Sequence, residues 1–185
     1  MHGIRKYITN CTFKIMINAY VHSVANYCLD LWAVQSENDL LQIQNKIDRF
    51  LVMCLWPSLL KKHAKKNQLY LNIKANINMD VIRKDFNMYT IIERRNIYLL
   101  KLMYDKMKTD CSIQSAMFNT NGSMTRLSQI RHSSVTFERS WKCRGIKIWN
   151  ELPREWEIGE ISRNVFVRKV KEWIVEKRKD DFYYY

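Results

Sequence analysis

Glycine and proline are scarce in this chain, at four and two residues of 185. Few turns can form on so little, which argues against an all-β fold and for long helices. Cysteine is thinly spread, at positions 11, 28, 54, 111 and 143, with no Cys-x-x-Cys pair and no His-x₃₋₅-His. That spacing excludes a zinc knuckle or finger. Cys11 and Cys54 fall on apolar helical faces, where a buried inert thiol is expected. The start, Met-His-Gly-Ile-Arg-Lys, has no apolar signal region, and no run of eighteen apolar residues occurs. Neither a secretory leader nor a membrane span is expected, and a reducing intracellular setting, nucleus or cytoplasm, follows. No glycine-rich phosphate loop and no His-Glu-x-x-His motif is present. Two-metal chemistry needs clustered carboxylates. The only adjacent aspartates, Asp180-Asp181, follow Arg178-Lys179 at the chain's end and read as tail charge. Ser23, His22 and Asp30 could be assembled into a triad on paper, but such spacings are ordinary between helical neighbours. No catalytic residue, metal or cofactor is expected.

What the chain does have is apolar content, at 47%, and a formal charge of +13 with a pI near 9.6. The first is too high for intrinsic disorder. The second points to an acidic partner, most simply RNA or DNA. The excess is uneven. Residues 1–56 carry five Lys/Arg against four Asp/Glu, whereas residues 57–185 carry 26 against 14. Solvated helix faces alone could account for part of it.

The apolar spacing is helical. Ile4, Ile8, Cys11, Ile15, Ala19 and His22 mark a helix over about 4–32, with Phe13, Ile17, Tyr20 and Val24 on another side. Ser36 caps a second helix, striped by Leu40, Ile43, Ile47, Phe50 and Cys54 and stopped by Pro57. Asn78 caps a third long helix, with Asp80 complementing its dipole. Its stripe runs through Ile82, Phe86, Tyr89, Asn96, Leu99 or Leu100, Met103 and Met107. Residues 109–140 lose periodicity. Ser162 opens a last amphipathic helix to about 179, with Phe166, Val170 and Trp173 on one face. His22, Trp32 and Trp56 read as core.

Residues Trp141–Pro153 read Trp-Lys-Cys-Arg-Gly-Ile-Lys-Ile-Trp-Asn-Glu-Leu-Pro. Gly145 offers turn freedom, Ile146 and Ile148 alternate about Lys147 as in a short half-buried strand, and Pro153 closes the element. The expectation is a basic hairpin. Trp141 and Trp149 among Lys142, Arg144 and Lys147 are also the mixture that single-stranded nucleic-acid grooves use; for Trp149, the family resemblance set out next implies packing under the last helix instead.

Together with the basic Thr125–Ser134 segment before it and the helix after it, this box resembles the carboxy-terminal end of LINE-type (non-LTR) retrotransposon reverse transcriptases of the jockey-like group. Their box has Gly-Pro-x-x-Trp-Asn-x-Leu-Pro; Ile146 stands here in place of the proline. Tyr20–Trp32 (Tyr-Val-His-Ser-Val-Ala-Asn-Tyr-Cys-Leu-Asp-Leu-Trp) is similar to a thumb helix of these enzymes. Leu41–Phe50 (Leu-Gln-Ile-Gln-Asn-Lys-Ile-Asp-Arg-Phe) is similar to the next one, and Leu99–Met107 fits a later pattern loosely. The resemblance implies a mainly α, thumb-like long-helix bundle with a short irregular or hairpin segment and a C-terminal amphipathic helix. It implies a thumb-like helical pair over 1–56, a basic linker and third helix over 57–121, and a basic loop, box and last helix over 122–185. It further implies nucleic-acid binding through backbone phosphates without catalysis by this chain, which holds neither the endonuclease nor the fingers and palm. The expected phosphate ligands are Arg83, Lys84, Arg94 and Arg95, then Arg126, Arg131, Arg139, Lys142, Arg144 and Lys147. Trp141, Gly145, Trp149, Asn150, Leu152 and Pro153 form the structural box. In the family a further helix precedes Ile4, so the polymerase's N-terminal part, or self-association through residues 4–32, is an expected partner. The alternative is a helical protein–protein interaction module.

Overall fold

The computed structural model describes residues 9–27, 35–63, 79–85, 88–109, 127–128, 134–156 and 158–180. Every regular element among them is helical. The expected mainly α class holds, and the expected strand does not: Ile146–Ile148 lie inside a helix. The chain divides into two compact units, Met1–Cys28 with Glu37–Ile91, and Leu29–Ser36 with Ile92–Tyr185.

The first unit opens with α1 (Asn10–Met16), continues as a π turn (Ile17–His22), and ends as α2 (Ser23–Tyr27). Thr9 Oγ1 accepts the Thr12 N–H at 3.2 Å, the N-cap geometry that satisfies an orphan donor of the first turn. Thr9 is thus a cap, where the apolar spacing had placed helix interior. The π turn widens the local repeat, so Ile17 and His22, five residues apart, are both buried. Ile15, Tyr20 and Val24 are left exposed. The two faces read from a regular 3.6 period are therefore mixed.

Helix α3 (Glu37–His63) starts directly after Ser36 and runs past Pro57, which does not stop it. A proline removes one intrahelical N–H and strains one turn; here the helix persists on both sides. Its buried stripe is Leu40, Gln44, Ile47 and Leu51, while Phe50 faces water. The stripe is turned from the expected one because Gln44 points inward. Its Nε2 donates to Asp48 Oδ1 at 2.7 Å, and its Oε1 accepts the Ile91 N–H at 2.8 Å. Asp48 is also paired with Arg83 of α4 (Met79–Asp85).

The expected third helix is broken. α4 ends at Asp85, residues 88–90 are irregular, and α5 spans Ile91–Thr109. The Met88 N–H closes on the Arg83 carbonyl at 2.8 Å, the six-to-one bond of a common helix stop. Thr90 and Glu93 then stand in the spacing of a capping box.

In the second unit, α5 buries Arg95, Leu99, Leu100, Met103, Tyr104 and Met107. α6 (Val135–Glu138) is one turn; α7 (Trp141–Trp149) and α8 (Arg163–Asp180) follow. α8 starts after Ser162, as its spacing implies, and buries Phe166, Val170 and Ile174, with Trp173 half-buried. Phe166 stacks on Tyr104 at 4.7 Å, meets Trp149 at 5.6 Å and takes the edge of Trp156 at 6.5 Å. Such offset and edge-on pairs add to the burial of their area.

Asp48 and Arg83 are about nine-tenths buried, so removing one partner strands the other. Asp48→Ala should cost on the order of 3 kcal/mol, read as a shift in urea midpoint. Lys46→Ala on the exposed side of α3 should stay within about 0.5 kcal/mol. A loss below 1 kcal/mol for Asp48→Ala would show that the pair does not hold the unit.

Candidate nucleic-acid interface

Helix α7 carries the box, and its orientation follows from which residues are apolar. Gly145, Ile146 and Trp149 are buried. Ser140 caps the helix, accepting the Cys143 N–H at 3.4 Å. Gly145 is not a turn residue. It lies mid-helix, where a Cβ would stand 2.9 Å from Met103 Cγ and Sδ of α5. Its use is close approach: any side chain there would have to displace a buried methionine.

Trp149 is fully buried against Phe166 of α8, and its indole N–H has no acceptor among the described residues. Asn150 closes the helix and uses both ends of its amide on one backbone position. Oδ1 accepts the Leu127 N–H at 2.8 Å, and Nδ2 donates to the Leu127 carbonyl at 2.9 Å. This copies the donor–acceptor pair of a strand neighbour, and it places Leu127 in the interior. Leu152 is buried and Pro153 half-buried.

The turn leading into α8 is tied to α5 from two sides. Tyr104 donates its hydroxyl to the Ile161 carbonyl at 2.5 Å, and Lys108 donates to the Gly159 carbonyl. Arg163 grips Asp105 with two bonds, at 2.6 and 2.7 Å. The hydrogen bonds from Arg163 outweigh partial burial and hold the Asp105 carboxyl below its usual range; Asp105 in turn raises Arg163. A lowered acid stabilises the fold above its unfolded pKa of about 4 and loses that contribution as pH falls through the lower folded value. The pair is exposed enough that solvent screens most of it.

The cations on and beside α7 do not share one side of it: Lys147 lies opposite the buried residues, whereas Lys142 falls on their side, at the exposed first turn. Lys142 and Lys147 are exposed, and Arg139, Arg144 and Trp141 are half-buried. Arg144 donates one N–H to the Gln35 carbonyl at 2.7 Å. The Lys142 ammonium stands 5.7 Å from the centre of the Trp141 ring. No carboxylate occurs from Arg139 to Asn150.

The remaining sequence-derived cations are dispersed. Arg83 is buried on Asp48 in the first unit, and its neighbour Lys84 is exposed there. Arg95 is buried on the α5 stripe and Arg94 is half-buried beside it. Arg126 and Arg131 lie outside the described residues, as do Asp181 and the side chain of Asp180. The residues whose part was not foreseen are Gln44 and Phe166's partner Tyr104. An i,i+4 Gln–Asp pair is a recognised helix contact and could have singled out Gln44.

Among the described residues no three His, Cys, Asp or Glu side chains gather into a metal set, and no helix is long and apolar enough to cross a membrane. No protein-family model, curated protein or solved structure matches the chain.

If burial under α8 is what Trp149 does, Trp149→Ala should lower stability by about 3–5 kcal/mol. Lys147→Glu, on the opposite face of the same helix, should change it by no more than about 0.5 kcal/mol. Thermal melting of the two variants checks this; equal melting temperatures would contradict it.

Proposed function

We propose that this chain is the thumb and post-thumb region of a LINE-type reverse transcriptase and that it binds RNA or DNA through backbone phosphates. Catalysis is not assigned to it. The observation that carries the reading is the basic stretch that leads into α7 and runs along it. Four cations fall within nine residues, Arg139 to Lys147, with no carboxylate among them and the apolar side of the same helix packed inward. Phosphate contacts of this kind position a nucleic acid without reading its bases. The box residues of the resemblance support it from the other side: Trp149, Asn150 and Gly145 hold α7 in place while Lys142 and Lys147 stay exposed.

A salt titration tests the proposal. Affinity for duplex DNA should fall as salt rises, with a log–log slope of about −3 to −4 if four phosphates are neutralised. Charge reversal at Lys142 or Lys147 should flatten that slope by about 1 each. A slope near zero, or no binding at low salt, would overturn it. The second reading, a helical module for a protein partner, is favoured by one observation: Ile15, Tyr20, Val24 and Tyr27 of α1, the π turn and α2 are exposed, Tyr27 by 90%. A protein partner held through that face would give salt-insensitive binding.

A further inference from the structure

Three tryptophans of the second unit carry a lysine ammonium over the ring, which makes them comparable. Lys169 lies 5.7 Å from the centre of Trp156, Lys177 5.0 Å from Trp173, and Lys142 5.7 Å from Trp141. All three rings are half-buried. Their electrostatic settings differ. Lys177 is held by the carboxylate of Glu151. Trp173 has Glu172 beside it and Glu176 one turn on, and Trp156 follows Glu155, all three exposed. Lys169 and Lys171 precede Trp173 and Arg154 precedes Trp156, so each of those rings has charges of both signs around it. Trp156 is also committed edge-on to Phe166. The Trp141 pair has three further cations close in sequence, with Arg139 two residues before, Arg144 one turn on and Lys147 six residues on. Glu138 is the one carboxylate nearby in sequence, and it precedes the helix.

Trp141 and Trp149 occupy the two ends of α7 and look alike in sequence. Burial separates them, since Trp149 is wholly inside and cannot meet a ligand. Trp141 is only half-buried, and the Lys142 ammonium stands over its ring.

We propose that Trp141 is a stacking platform for a base of single-stranded nucleic acid, with Lys142, Lys147 and Arg139 taking the adjacent phosphates. The proposal rests on the nucleic-acid reading above and narrows it to a strand class. In the free protein Lys142 occupies the ring. On binding, a base takes that face and the ammonium swings to phosphate, so one side chain serves both states. A duplex has no unstacked base to offer, so it meets the cations of α7 without engaging the ring.

The test compares an unstructured single strand, an oligothymidylate of about twenty nucleotides, with a duplex of equal length, on the full chain. Trp141→Ala should weaken single-strand binding by between about fivefold and 150-fold, the span of one base–aromatic stack. Duplex binding should move by less than about twofold. Trp141→Tyr, which keeps a π face, should restore most of the single-strand affinity, and thermal melting of both variants should match the parent. Lys147→Glu should weaken both ligands. Loss of both ligands alike on Trp141→Ala, with no rescue by Tyr, would overturn the platform and leave Trp141 as support for the helix. No change with either ligand would overturn the platform while the phosphate reading stands. Failure of the parent chain to bind either strand form would overturn the reading beneath it as well.

Discussion

The second unit depends on one ring. Phe166, on the first turn of α8, is the point where Tyr104 of α5, Trp149 of α7 and Trp156 of the intervening turn converge. Each of the three comes from a different segment, so Phe166 fixes three chain directions at once. Burial of aromatic area drives the contact, and quadrupole geometry selects how the rings lie. The polar ties around it, Tyr104 to the Ile161 carbonyl and Asn150 to both groups of Leu127, stop the backbone sliding over this apolar centre. The consequence for function is indirect but strict. Once Trp149 faces Phe166 and Gly145 lies against Met103, the rotation of α7 is set, and Lys147 on its far side points to solvent.

The first unit uses a different device. Its described centre contains a hydrogen-bonded polar set, Gln44, Asp48 and Arg83, which also receives the first N–H of α5. Buried polar groups are tolerated when each is paired, and they specify geometry more sharply than an apolar contact does. Gln44 joins helix interior to helix start: it satisfies Asp48 one turn below and the orphan amide of Ile91. This is why α3 turns its buried stripe toward a glutamine and leaves Phe50 in water.

The elements were legible where chemistry is local. Ser36 and Ser162 mark the starts of α3 and α8, and the apolar spacing of Phe166 and Val170 names the buried side of α8. The helical class itself follows from the scarcity of glycine and proline. What was not legible is long-range. Ile146, Lys147 and Ile148 alternate like a strand, but the helical set Gly145, Ile146 and Trp149 wins because it can be buried together, Gly145 against α5 and Trp149 against α8. Pro57 breaks the helical rule locally, yet α3 continues. Thr90 and Glu93 stand in capping-box spacing just before α5, a local signal that the reading of one long helix from Asn78 passed over. The candidate interface was half legible: the cations of residues 139–147 are plain in the sequence, whereas the burial of Arg83 depends on Asp48, far along the chain.

The central claim is that the carboxylate-free basic stretch of residues 139–147, held in place by packing around Phe166, binds nucleic acid. Photo-crosslinking of the full chain to a uniformly labelled RNA, followed by peptide mapping, tests it most directly. The account places the main crosslinks within residues 139–147, and expects them to vanish at high salt. Crosslinks confined to α8 or to the first unit, with residues 139–147 unmodified, would contradict it.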